Sequence, residues 1–204
     1  MSMLTLLSVA LVHLIGAVSP GPSFVLIART AVARSRMNAI AQSLGLGLGA
    51  MTWAAAAIFG LTLLFQVLPW TFLILKIAGG LYILWIAIDL FRHASEPLIP
   101  QVTNTGPGNL AGDVRYGFLF QIANPKVSVY FGSVFVAFLP PDLGVQWIAL
   151  ILFNILVVET VWYALVSVVF ATPAVRARYL RFKVWIDRTC GIALGALGLK
   201  VAIS

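Results

Sequence analysis

Long apolar stretches, separated by short polar or proline-containing breaks, constrain this chain more than any other feature of its sequence. A helix of about 20 apolar residues spans the hydrocarbon core of a bilayer. Charged residues make up only 9% of the 204 residues, which is too few to cover a folded surface in water. The sequence therefore predicts an all-α polytopic membrane protein and excludes soluble, disordered and fibrous proteins. Six transmembrane helices are predicted, at roughly 4–28, 40–66, 71–91, 114–138, 145–170 and 185–203.

The basic residues behind the net charge of +7 lie between the predicted helices. Basic residues in such positions set membrane orientation, so we infer a lipid bilayer as partner and no nucleic acid. By the positive-inside rule, their three connections face the cytoplasm and both termini face outward. These residues are Arg29, Arg34 and Arg36, then Arg92 and Arg115, and finally Arg176, Arg178, Arg181, Lys183 and Arg188.

The two halves of the chain share a pattern of prolines. Pro22 interrupts the first predicted helix and Pro125 interrupts the fourth, and Pro69 and Pro173 recur at almost the same offset. Three helices in each half would give the halves opposite orientations, as in the inverted repeats of secondary transporters. Chance matching of prolines is the alternative. We predict one transmembrane domain over residues 1–204, with halves at about 1–92 and 113–204 and a linker at 93–112.

The segment Pro20-Gly21-Pro22 is the sharpest local feature of the first predicted helix. Proline lacks a backbone N–H and displaces the carbonyl group four residues earlier, so it breaks the helix. Unpaired backbone groups cannot face lipid, so such a break lines a cavity or is covered by protein. The new half-helix would offer N–H groups to a carboxylate, and the freed carbonyl groups would accept from an ammonium group. The break suits a zwitterionic amino acid, and a kink made only for packing is the alternative.

A second break is predicted in the fourth helix, at Asn124-Pro125-Lys126. Asn124 is suited to cap the half-helix that follows. Lys126 brings a charge near the bilayer centre, where ionisable residues are rare and face a cavity or a partner. Two breaks at matching depth predict a binding site, whereas structural kinks with an internally paired Lys126 are the alternative.

Glu159 is the one acidic residue that the sequence predicts deep in the membrane, midway along the fifth helix. Its simpler role is a salt bridge to Lys126, because a lone buried carboxylate is costly to keep ionised. The alternative role is that of a proton carrier, because burial favours the neutral form of a carboxyl group. Both roles stay open.

The other polar residues give no sign of catalysis or metal binding. His13 and His93 lie at opposite ends of their segments, which excludes paired ligation of a haem. Cys190 is the single cysteine, and the scattered acids form no soft-metal site. Ser19 and Ser23 have no histidine nearby in the sequence to activate them. We predict no catalytic residue, no metal and no cofactor.

Gly45 and Gly49 place two small residues on one face of the second predicted helix. This face permits close helix packing within the chain or in a homo-oligomer. No strand precedes the glycines, so they are not a dinucleotide fingerprint.

Several motifs together resemble the LysE/RhtB family of amino-acid exporters. The resemblance covers nearly the whole chain and is thinnest in the fifth predicted helix. The Pro-Gly-Pro and Asn-Pro-Lys elements are its most specific parts. In chain order, the motifs are Ala17-Val18-Ser19-Pro20-Gly21-Pro22, the glycines from Gly45 to Gly49, Lys76-Ile77-Ala78-Gly79-Gly80-Leu81-Tyr82, Gly117-Phe118, Asn124-Pro125-Lys126 and Phe138-Leu139-Pro140.

The resemblance implies an inner-membrane exporter that moves amino acids or close derivatives outward, driven by the proton gradient. The implied substrate classes are basic amino acids, threonine, homoserine and its lactone, leucine and cysteine-pathway metabolites. Glu159 matches no motif of the family. The resemblance implies that six residues take part in substrate translocation: Pro20, Gly21, Pro22, Asn124, Pro125 and Lys126.

Two other functions stay open beside amino-acid export. Export of an inorganic cation is disfavoured, because one carboxylate and one lysine make a poor set of oxygen ligands. A membrane subunit that does not itself transport would need no polar residues deep in the first and fourth helices. An intramembrane enzyme lacks a recognisable acid–base or metal set.

Overall fold

All regular elements in the described part of the chain are α-helices. The computed structural model describes residues 3–19, 21–68, 71–92, 94–95, 109–139 and 143–203. The all-α prediction is thus confirmed, whereas Pro20 and most of the predicted linker lie outside the described residues. The helices are α1 Met3–Val18, α2 Pro22–Ala33, α3 Arg36–Val67, α4 Thr71–Arg92, α5 Leu110–Ile122, α6 Pro125–Phe138, α7 Val145–Ala171 and α8 Pro173–Ile203.

Helix breaks are present at both predicted positions. The first predicted helix divides into α1 and α2, which meet at an angle of 57°. The fourth divides into α5 and α6. Pro22 and Pro125 each begin the second half-helix, because the first position of a helix needs no backbone N–H donor.

The last helix is longer than the sequence predicts. α7 ends at Ala171 and α8 begins at Pro173, so the basic residues assigned to a connection belong to the first half of α8. Proline suits the first position of a helix, and Arg and Lys are good helix formers, so this basic segment does not interrupt a helix. The prediction that the helix begins near residue 185 is therefore wrong.

Lys183 on α8 forms a hydrogen bond with the backbone just after the end of α4. Its Nζ donates to the carbonyl oxygen of Ala94 at 2.8 Å and to Asp187 Oδ2 at 2.7 Å. Asp187 is only 1% exposed. Asp187 and Asp113, which is 3% exposed, are therefore buried acids in addition to Glu159, which the sequence alone did not indicate.

Glycines bring α3 close to two neighbouring helices. A Cβ atom at Gly45 would overlap the backbone of α5, and one at Gly117 would overlap the backbone of Gln42. Gly49 also faces α5, and Gly47 faces Thr160 of α7. The small-residue face therefore serves packing within the chain and is not available to a second copy.

Among the described residues, the apolar core consists of two separate clusters. One contains buried residues of α1, α3, α4, α6, α7 and α8, and the other joins α2, the first part of α3 and the later part of α7. Val12, Tyr130 and Phe131 belong to the first cluster, and Phe24 and Tyr163 belong to the second.

Two described helical stretches, Arg36–Gly60 and Val145–Ala171, are each long and apolar enough to cross a membrane. The bent pair of α1 and α2 makes a third if it counts as one span. Large apolar side chains such as Phe153 and Leu165 lie exposed on α7. Such extensive apolar exposure is typical of a surface in contact with lipid or a partner protein.

Candidate functional site

The two helix breaks meet through hydrogen bonds between buried side chains. Ser23 Oγ, in the first turn of α2, donates to Gln121 Oε1 at the end of α5 at 2.6 Å. Asn124 Nδ2 donates to Ser23 Oγ at 3.1 Å. These bonds hold the breaks of the two halves against each other.

Lys126 reaches from α6 to the break between α1 and α2. Its Nζ donates to Ser19 Oγ at 3.3 Å. A Cβ atom at Gly21 would lie only 3.1 Å from this Nζ. The missing side chain at Gly21 therefore leaves room for the ammonium group beside the start of α2.

The half-helices α2 and α6 begin in different ways. Asn124 caps α6 as predicted, because its Oδ1 accepts the backbone N–H of Lys126 at 3.1 Å. α2 has no side-chain cap, because its N-cap residue is Gly21. The first N–H groups of a helix lack partners within the helix, and its N-terminus carries a partial positive charge. An ammonium group thus lies beside a positive helix end, and an anion between them would interact favourably with both.

A chamber of about 40 Å³ lies between the breaks. At about 10–15 Å³ for each water-sized probe, it holds roughly three water molecules. It brings together most of the residues that the sequence singles out. Its lining consists of His13, Gly16, Ala17, Ser19, Gly21, Pro22, Ser23, Asn124, Lys126, Val127, Tyr130, Phe131, Glu159 and Tyr163.

The carboxylate of Glu159 lines this chamber from α7, where the residue is 5% exposed. Its Oε1 lies 3.9 Å from His13 Nε2 on α1. Lys126 attracts the same carboxylate electrostatically. The predicted relation between Glu159 and Lys126 is thus a Coulombic attraction between two groups of one chamber, with His13 as a further neighbour.

A second cavity, which we call the vestibule, has a volume of about 930 Å³ and runs between α2 and α5. Gly21 and Pro22 line both this cavity and the chamber. Arg29 and Arg34 line it farther from the break. The vestibule therefore extends from the break towards the basic connection between α2 and α3.

A buried ion pair lies in the wall of the vestibule. Arg34 Nη1 is 2.5 Å from Asp113 Oδ1, and Asp113 is 3% exposed. Asn38 Nδ2 and Gln42 Nε2 of α3 donate to the same carboxylate at 2.5 Å and 3.3 Å. This cluster fixes the end of α2 and the start of α3 to α5.

Sequence reasoning missed several residues of the chamber and its surroundings. His13 lies inside a predicted span, and an ionisable residue in that position is itself a signal of function. The sequence places the carbonyl group of Gln121 at the break, four residues before Pro125, but it does not indicate the hydrogen bond between the Gln121 side chain and Ser23. Trp53 Nε1 donates to the carbonyl oxygen of Ile122 at the end of α5, at 3.1 Å, which no sequence pattern reveals.

Comparison with known proteins gives matches over nearly the whole chain. The family model described as LysE type translocator matches residues 14–204. The threonine efflux protein of Escherichia coli strain K12 is 36% identical over 207 residues, which cover 97% of each chain. The threonine efflux protein of Salmonella typhimurium is 34% identical over 213 residues, which cover 99% of each chain. An uncharacterized membrane protein of Haemophilus influenzae is 28% identical over 191 residues, or 92% of this chain and 90% of the relative. No solved structure matches the chain.

These matches confirm the family that the motifs predict. The family model covers both helix breaks and all of α2 to α8. The two efflux proteins exceed 30% identity over nearly their full length. The chain belongs to the family of LysE-type translocators and is a membrane transporter rather than an enzyme.

Proposed function

We propose that this protein is a secondary-active exporter of a small amino acid, whose carboxylate binds where the two helix breaks meet. The observation that carries the proposal is the position of the Lys126 ammonium group at the uncapped N-terminus of α2. Two positive groups placed side by side favour an anion between them. We assign the site to Gly21, Pro22, Asn124, Pro125 and Lys126, together with Pro20, which lies outside the described residues.

Glu159 provides the opposite charge for the ammonium group of the substrate. It lines the same chamber as Lys126, and its carboxylate is attracted by the lysine. A zwitterion placed between the two residues meets a cation at its carboxylate and an anion at its ammonium group. The threonine efflux relatives support threonine, or an amino acid of similar size, as the substrate.

The substrate enters from the cytoplasm through the vestibule. Arg29 and Arg34 line this cavity, and basic connections face the cytoplasm by the positive-inside rule. The six spans then form two inverted three-helix repeats, with both termini outside the inner membrane. The gap between α2 and α5 is the inner entrance, and the contact between α1 and α6 closes the outer exit.

Transport requires the helices around the chamber to move. The chamber of about 40 Å³ holds only a few water molecules, so an amino acid fits only when the half-helices separate. Alternating access then closes the gap between α2 and α5 and opens the contact between α1 and α6. The breaks are the hinges of this movement.

Protons drive the export by competing with the substrate for Glu159. The carboxylate can hold either a proton or the substrate ammonium group, because both occupy the same negative charge. A proton that binds Glu159 from the outer side releases the substrate to that side. Loss of this proton to the cytoplasm restores the carboxylate, which can then bind the next substrate molecule. This competition makes the exchange an antiport.

Flux through the purified protein in liposomes tests the substrate site. Each lost charge-assisted hydrogen bond costs about 1.5–3 kcal/mol, so Lys126→Ala should slow the export of radiolabelled threonine by about tenfold to a hundredfold. Pro22→Ala should also abolish efflux without loss of folded protein, because it restores a backbone N–H at the break. Both variants should keep the melting temperature of the wild type to within a few degrees.

Ser133→Ala is the matched control on α6. Its hydroxyl group donates only to the carbonyl oxygen of Val129 on its own helix, at 2.8 Å, so the control should transport at the wild-type rate. Wild-type rates in folded Lys126→Ala and Pro22→Ala would show that the breaks are only architectural. Flux of an inorganic cation but of no amino acid would favour the cation exporter, and no flux by the purified chain would favour a non-transporting subunit.

A further inference from the structure

His13 and Glu159 form a buried acid–base pair between α1 and α7. His13 is 2% exposed and Glu159 is 5% exposed. His13 Nε2 and Glu159 Oε1 are 3.9 Å apart, and both residues line the chamber. Among the described residues, Glu159 Oε2 has no hydrogen-bond partner, and the ring of His13 interacts with the backbone of Ile155 on α7.

The separation of this pair suits an exchangeable proton. A distance of 3.9 Å is too long for a direct hydrogen bond, but one bridging water molecule connects groups at such a distance. The chamber has room for roughly three water molecules. A buried polar atom without a hydrogen-bond partner costs free energy, so its presence favours a role in which it binds water or a proton.

Among the described residues, Lys126 is the cation that acts on the carboxylate of the pair. Lys126 attracts Glu159 from α6, and Tyr130 on α6 and Tyr163 on α7 also interact electrostatically with this carboxylate. Arg34, which follows the last residue of α2, is paired with Asp113, and Lys183 on α8 is paired with Asp187, which Lys126 also attracts. Arg29 on α2 and Arg36, the single charged residue of α3, are exposed at the other end of their helices. The lone strong attraction on Glu159 from these neighbours is therefore that of Lys126.

We propose that His13 and Glu159 together hold the one proton that is exchanged for each substrate molecule, which rests on the export function proposed above. The loaded pair is neutral overall, as imidazolium and carboxylate or as imidazole and carboxylic acid. Loss of the proton leaves one negative charge, which then binds the ammonium group of the substrate. The proton that leaves goes to the vestibule, and the next one enters from the outer side.

The position of His13 on α1 couples this exchange to movement of the helices. It belongs to α1, which bends by 57° from α2 at the break, so movement of α1 changes its distance from Glu159 on α7. Its ring packs beside Tyr130 and Phe131 of α6, with centroid distances of 6.4 Å and 5.5 Å. Opening of the contact between α1 and α6 would therefore move His13 and expose the pair to the outer solution.

The substrate ratio at equilibrium in proteoliposomes tests the proposal. With the membrane potential clamped at zero, exchange of one proton for one threonine concentrates threonine on the acidic side by about tenfold for each unit of pH. His13→Gln and His13→Asn keep a polar side chain without a basic nitrogen. In these variants the ratio should fall to about one while threonine–threonine exchange stays measurable. Thr160→Val, the next residue of α7, faces Gly47 and should keep the tenfold ratio.

The outcomes separate this proposal from the export function. A tenfold threonine ratio per unit of pH in a folded His13 variant would overturn the proton role of His13. Loss of threonine–threonine exchange together with loss of threonine accumulation would also overturn it. Infrared titration of the purified protein reads the proton without any substrate. Glu159→Gln identifies the infrared band of the Glu159 carboxyl group, because that band is absent from the variant. The midpoint pH of this band should shift in His13→Gln. An unchanged midpoint would overturn the proposal even if the wild type carries no threonine. Absence of threonine flux by the wild type would count against the export function alone.

Discussion

The hydroxyl group of Tyr130 on α6 donates a hydrogen bond of 2.9 Å to the carbonyl oxygen of Val12 on α1. The ring of Tyr130 also packs on Gly16, where a Cβ atom would lie 2.7 Å from the phenol oxygen. None of the three residues lines the vestibule. Both contacts join α1 and α6, the half-helices that separate in the proposed outward-open state.

Tyr130→Phe should weaken this outer closure. Removal of one hydrogen bond costs about 0.5–1.5 kcal/mol, so the outward-open population should rise by up to about tenfold. Ala17→Cys, in a chain with Cys190→Ser, places a thiol in the chamber lining. A membrane-impermeant maleimide added outside should label this thiol faster when Tyr130→Phe is present. Equal labelling rates would show that the bond does not hold the exit closed, and Ser133→Ala is the control on the same helix.

Gly117→Ala should destabilise the crossing of α3 and α5. The added methyl group would overlap the backbone of Gln42, and overpacking of this kind costs about 1–3 kcal/mol. The melting temperature in detergent measures the effect. Gly132→Ala on α6 is the matched control, because a Cβ atom there meets no atom within 4 Å. If the two variants melt at the same temperature, the crossing tolerates a side chain at position 117.

Asp113→Ala should lower stability by about 3 kcal/mol, because it leaves the partly buried guanidinium group of Arg34 without its acceptor. Asn38 and Gln42 also lose their shared acceptor. The double variant Arg34→Met with Asp113→Leu should recover part of the loss, since no unpaired charge then remains. Chemical denaturation in detergent measures the three variants. Arg115→Ala, an exposed change on α5, should stay within about 0.5 kcal/mol of the wild type.

Labelling of single cysteines should place Ser95 and Gly144 on opposite sides of the membrane. Both residues are exposed, and α5 and α6 lie between them. In a chain with Cys190→Ser, the maleimide should label Gly144→Cys in intact cells and Ser95→Cys only after permeabilisation. Labelling of both positions from one side would contradict the six-span arrangement. The reverse pattern would contradict the orientation of the termini.

The sequence by itself determined the helices and the places where they break. Apolar length defines a membrane helix, and proline removes a hydrogen-bond donor wherever it stands, so both features are local. The breaks at Pro22 and Pro125 and the cap at Asn124 follow from these rules. The start of α8 did not, because basic residues mark a membrane boundary without ending a helix.

The tertiary structure alone decided which polar groups meet. Ser19 and Lys126 are 107 positions apart, and no local rule brings the ammonium group to the start of α2. The contact between His13 and Glu159 likewise depends on how α1 lies against α7. Such contacts depend on the crossing of helices, which small residues such as Gly45 and Gly117 allow through the packing of whole surfaces. Periodicity and spacing along the sequence do not predict these contacts, because helix packing joins residues that are distant in sequence.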